Sequence, residues 1–221
     1  DASSSVGLGF ALGSAVKLKI TDQLTLAAKE VKDIARGASV SETGAELILD
    51  CLDALGYVQK EGTCYAFTKR GYKNLSTESA HNFRHFILFC DYLYKGYIHL
   101  DETIRLGRRA QSNMLEEMSA YEWELFSRAM IDISSTNYKE VAGKIQVSKT
   151  DTKMLDLGGS HGLYSIELCR RNPGLKSVIL DLPPVKKYAD ECIVKQNSGQ
   201  QVSFMASDFM KDELPQHNDL I

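Results

Sequence analysis

The 221 residues are 43% hydrophobic and 25% charged with only 4 prolines, which excludes a disordered or fibrous chain and allows a sizeable buried core. A formal charge of −3 supplies no global positive field toward nucleic acid or anionic lipid. The 5 cysteines, at 51, 64, 90, 169 and 192, form no C-x-x-C pair and read as reduced thiols of a cytoplasmic protein, without disulfides or zinc.

Residues 6–19 are apolar all round and predict a helix buried on several sides. The apolar run is too short to span a bilayer, and Lys17 and Lys19 follow it rather than precede it as in a signal peptide. Residues 24–35 read as a second helix, broken near Gly37. The run SVSE at 39–42 fits a capping box for a third helix reaching Leu55. Its stripe is Leu47, Ile48, Cys51, Leu52 and Leu55, with Gly56 as the stop. The β-prone runs 57–60 and 63–67, joined by Glu61 and Gly62, predict a hairpin. Helices followed by a hairpin make a winged helix, here residues 1–80.

Two long helices are expected at 83–106 and 121–145. The second is opened by the capping box SAYE at 119–122 and carries a stripe of Leu125, Ala129, Met130 and Ile133. Together they form a helical connector, residues 81–150. The pattern changes at about residue 151. A buried-strand run at 153–157 leads into GGSHG at 158–162, then a helix at 163–171 stopped by NPG at 172–174. A second strand ends at Asp181, Pro183 and Pro184 open another helix, and a third strand lies near 201–206. Strand, glycine turn, helix and strand form the βαβ unit of a parallel, doubly wound sheet, residues 151–221.

In such a sheet, ligands bind beyond the carboxyl ends of the strands. The spacing is not that of the G-x-G-x-x-G fingerprint, and Asp156 stands two residues before the first glycine. That acid suits an ammonium or sulfonium better than a diphosphate. Asp181 stands where a carboxylate accepts ribose hydroxyls. Asp208 is placed to accept from an adenine amino group, and Phe209 offers a stacking face. An adenosyl group with a cationic amino-acid tail is S-adenosylmethionine (SAM).

The motifs LDLGGSHG at 155–162, VILDLPPV at 178–185 and ASDF at 206–209 resemble the successive cofactor motifs of the SAM-dependent small-molecule O-methyltransferases, a family that includes the caffeate, acetylserotonin and anthracycline-type enzymes. The helix near 13–24, FTKRG at 67–71 and the helix at 126–130 fall in the family's order, so the resemblance covers nearly the whole chain. It implies a mainly α winged-helix dimerisation domain, a connector lining the substrate pocket, and part of an α/β Rossmann-like SAM-binding domain. By the same resemblance Gly158 lies against the methionyl part of the cofactor, Asp181 binds its ribose, and Asp208 and Phe209 hold the adenine. Ser134 approaches the cofactor carboxylate, and Met130 lines the acceptor pocket. Ser160 replaces the more usual glycine of the turn.

The implied reaction is methyl transfer to a hydroxyl of an aromatic or polyketide-like small molecule by a homodimer, with neither a nucleic-acid nor a membrane partner and with no metal site assigned in this chain. No histidine present matches the family's catalytic base, which is expected beyond Ile221. The chain begins without a methionine and stops at the start of a fourth strand, so it is expected to be part of a longer protein. His161 reads as an exposed loop residue rather than a substrate contact. One rival is a SAM-binding relative without O-methylation activity. Another is a DNA-binding regulator, disfavoured because the helix at 41–55 carries Glu42, Glu46, Asp50 and Asp53 and no cation.

Overall fold

A computed structural model describes residues 2–108, Ala110 and 118–221. It divides into two compact units, residues 1–117 and 118–221, so the stretch read as a connector is shared between them.

The first unit contains α1 (Ala2–Lys17), a 3-10 turn (Thr21–Gln23), β1 (Lys29–Glu30), α2 (Val31–Ala38), α3 (Glu42–Ala54), β2 (Val58–Glu61), β3 (Cys64–Phe67), α4 (Lys69–Leu75), α5 (Arg84–Tyr97) and α6 (Leu100–Leu106). An antiparallel sheet in the order β1-β3-β2 covers a core that includes Ile20, Ile34, Leu49, Leu52, Tyr65 and Phe67.

Five local expectations change here. Residues 24–35 are not one helix. The Phe67 N–H bonds to the Thr25 carbonyl (2.7 Å) and that of Val31 to the Thr63 carbonyl (2.9 Å), so pairing with the hairpin overrides local helix preference. The cap of α3 is Ser41, whose hydroxyl accepts the Gly44 N–H at 3.1 Å, while Ser39 closes α2 in the left-handed region (φ 57°). Leu47 is 64% exposed and Leu49 is fully buried. The hairpin turns at Gly62 and Thr63, one residue later than expected. Farther along, the helix expected at 83–106 ends at Tyr97 and restarts at Leu100.

The second unit contains α7 (Ala120–Ser134), α8 (Tyr138–Lys144), β4 (Lys153–Leu157), α9 (Leu163–Arg171), β5 (Lys176–Asp181), a 3-10 turn (Pro183–Val185), α10 (Lys186–Lys195) and β6 (Val202–Ala206). The Ser119–Glu122 capping box is formed in both directions. The helix expected at 121–145 is interrupted where the Ser135 and Thr136 hydroxyls donate to the carbonyls of Asp132 and Ile133, both at 2.8 Å, in competition with the helical ladder. The strands pair in parallel as β4-β5-β6, with Leu220 bridging in parallel to Met154 on the outer side of β4. Strands buried on both faces are continuous apolar runs, and Met154, Leu155, Ile179, Leu180 and Val202 are buried. Among the described residues, no helix is long and apolar enough to cross a membrane.

Candidate functional site

The register pairs Leu157 with Leu180 and Asp181 with Ala206, so the segments leaving β4, β5 and β6 converge at one edge. The turn after β4 is held by the Gly158 N–H, which donates to the Leu180 carbonyl at 2.8 Å. It uses three left-handed residues, Gly158, Ser160 and Gly162 (φ 69°, 49° and 70°). A Cβ at Gly159 would run into the Asp156 carboxyl, and one at Gly162 into the Ile179 side chain. Only glycine permits both approaches.

Asp156 is therefore held under the turn. It accepts from the Ser165 hydroxyl at 2.5 Å, and that hydroxyl also lies 2.9 Å from Ser177 Oγ. Burial raises the Asp156 carboxyl above its ordinary range and the charge of Asp181 adds to this, against the lowering hydrogen bond from Ser165.

Asp181 is half-buried at the β5 tip. Its Oδ2 accepts the Ser160 N–H (2.9 Å) and its Oδ1 the Leu182 N–H (2.7 Å). Each carboxylate oxygen has two lone pairs, so both retain capacity for a hydroxyl donor. The Asp181 carbonyl takes the Ser207 N–H (3.0 Å), tying the third tip to the second. Asp208 is paired with Lys211 (3.0 Å) and accepts the Met210 N–H (3.1 Å). These two donors, Lys211 foremost, hold its carboxyl below the usual range. Phe209 is 38% exposed, and its ring edge comes within 3.7 Å of where a Gly158 side chain would begin. Gly158, Asp181, Asp208 and Phe209 thus lie together.

Ser134 and Met130 reach this turn through His161, which sequence reasoning placed in solvent. Its side chain is only 3% exposed. Flanked by left-handed Ser160 and Gly162, the imidazole turns inward. Nε2 lies 2.9 Å from Ser134 Oγ, and Nδ1 accepts the Leu163 N–H at 3.1 Å. Burial pushes the imidazole down to about 4, with the Met130 carbonyl opposing the shift as a hydrogen-bond acceptor. The only sequence signal for this role is its place between the glycines of the turn. The Ser160 hydroxyl is buried without a partner.

A family model described as "O-methyltransferase domain" matches residues 107–221. The chain is 29% identical over 215 residues to the human "Probable bifunctional dTTP/UTP pyrophosphatase/methyltransferase protein", covering 91% of this chain and 34% of that protein. It is 24% identical to the 3-hydroxy-5-methyl-1-naphthoate 3-O-methyltransferase of Streptomyces sahachiroi, over 95% of this chain and 62% of the enzyme. The crystal structure of human N-acetylserotonin methyltransferase in complex with SAM superimposes with a TM-score of 0.81 at 26% identity, over 97% of this chain and 66% of that one. The chain thus spans less than two thirds of each of these proteins.

Proposed function

The chain belongs to the O-methyltransferase domain family, and on that premise we propose that it carries the cofactor-binding part of a SAM-dependent O-methyltransferase acting on a hydroxyl of an aromatic or polyketide-like small molecule. The observation that carries this reading is the Asp181 carboxylate. It is braced by two backbone N–H groups yet keeps acceptor capacity on both oxygens, beside a glycine turn and a partly exposed aromatic ring. Those donors and acceptors fit a nucleoside with a charged tail.

In this reading Asp181 holds the ribose hydroxyls, Asp208 and Phe209 hold the adenine, and Gly158 lets the methionyl portion approach the backbone. Ser134 meets the cofactor carboxylate and Met130 lines the acceptor pocket. When bound, SAM supplies the methyl group on a sulfonium that departs neutral. The chain's contribution is positioning: it fixes donor and acceptor in line and limits water around them. No residue of this chain is assigned the role of removing the hydroxyl proton.

The first unit is read as a winged-helix dimerisation domain and the protein as a cytoplasmic homodimer. This is supported by the outer face of α1, where Val6 is 52% and Phe10 45% exposed. The division into residues 1–80, 81–150 and 151–221 remains part of this proposal.

Asp181→Ala should weaken binding of SAM or S-adenosylhomocysteine by tenfold or more, because hydrogen bonds to a charged acceptor contribute about 1.5–3 kcal/mol. Calorimetry is the measurement, with circular dichroism showing that the fold is kept. Unchanged affinity in a folded variant removes the ribose assignment.

A further inference from the structure

The buried imidazole of His161 is the group the proposed reaction leaves without a task. We propose that His161 is a positioning residue that sets the Ser134 hydroxyl as a hydrogen-bond donor toward the cofactor's carboxylate; this rests on the reading of the site given above.

The tautomer follows from the partners. The Leu163 N–H donates to Nδ1 at 3.1 Å, so Nδ1 carries no proton. A neutral imidazole must then carry its proton on Nε2. Nε2 stands 2.9 Å from Ser134 Oγ, and the Met130 carbonyl faces the ring as an acceptor. Were Ser134 instead the donor, neither ring nitrogen would hold a proton, leaving an imidazolate in a site closed to water, which desolvation forbids. Ser134 Oγ is therefore an acceptor toward His161, and its own proton is free for another acceptor. The α9 N-terminus adds a positive dipole end at the same place.

A packing role alone would not demand both nitrogens. Gly162 supplies no side-chain cap for α9, so the Nδ1 contact closes the helix end while Nε2 reaches across to α7. A second clasp, from the Tyr164 hydroxyl to Asn137 Oδ1 (3.2 Å), joins α9 to the same corner independently of His161. Substitution of His161 should accordingly leave that corner in place.

The test is a double-mutant cycle read by S-adenosylhomocysteine affinity in calorimetry. His161→Asn keeps an acceptor near Nδ1 but has no atom that reaches Ser134; His161→Gln carries an amide N–H close to Nε2. H161N and S134A should each weaken binding about tenfold, and the double variant should be no weaker than S134A alone. H161Q should restore affinity to within about threefold of the parent. Multiplicative losses near a hundredfold, or unchanged affinity in H161N, overturn the positioning role. If H161N does not fold, S134A decides, since it leaves the imidazole untouched; unchanged affinity there overturns the proposal. A parent protein that binds no S-adenosylhomocysteine removes the cofactor reading and this inference together. Loss in Asp181→Ala with additive His161 and Ser134 effects removes this inference alone.

Discussion

His161 is buried within the glycine turn and Asp156 is partly buried beneath it, and burial moves the two groups in opposite directions. His161 is pushed down from 6.5 to about 4, so the unfolded chain takes up its proton first as the pH falls. Stability is lost between those two values. Asp156 is raised from 3.8, so it costs stability as the pH rises from 3.8 toward its folded value. At full burial the His161 effect reaches about 3 kcal/mol. Denaturant midpoints measured from pH 7.5 to 4.5 should therefore fall less steeply in H161Q, which has nothing to titrate, than in the parent. Parallel profiles would contradict the burial of the ring. Asp181 was legible from its place at a strand tip. His161 was not, because whether a loop side chain faces inward depends on the φ values of its neighbours and on a helix 27 residues earlier in the chain.

At the scale of elements, β4 and α9 coincide with the sequence reading, and β5 and β6 lie within a residue of it. Their signals are local: apolar runs bounded by glycine, proline and asparagine. The Ser119–Glu122 box was equally legible, since both partners sit within one turn. The start of α3 was not, because Ser39 and Ser41 both precede it and only the backbone path separates them. The structure makes Ser41 the cap and Ser39 a left-handed terminus of α2. Ser41→Ala should cost about 1 kcal/mol, whereas Ser39→Gly should be neutral or stabilising by up to about 1 kcal/mol, as glycine tolerates positive φ. Chemical denaturation measures both. A reversed pattern would restore Ser39 as the cap. The helix expected at 121–145 is broken for a related reason: the Ser135 and Thr136 hydroxyls turn back on the backbone, which apolar periodicity does not report.

For the whole molecule, the proposed homodimer sets the third test. Val6 is exposed on the outer face of α1, and a second copy would bury it. A charge in an apolar interface is costly, so Val6→Asp should shift the protein toward monomer in analytical ultracentrifugation while its helical circular dichroism is retained. A monomeric parent, or a variant that still dimerises as tightly, removes α1 from the interface. The parallel α/β character and the order of its motifs were determined by sequence alone, because strands buried on both faces must be apolar throughout and glycine must stand where backbone meets side chain. Tertiary structure decided which Asp181 oxygens are braced, that Asp156 lies under the turn, that residues 29–30 complete a sheet, and that His161 joins α7 to α9. The Ser160–Asp181 brace, the pairing of residues 29–30 with 64–65 and the His161–Ser134 contact join segments distant in the chain, and local preference carries no information about which distant group will arrive.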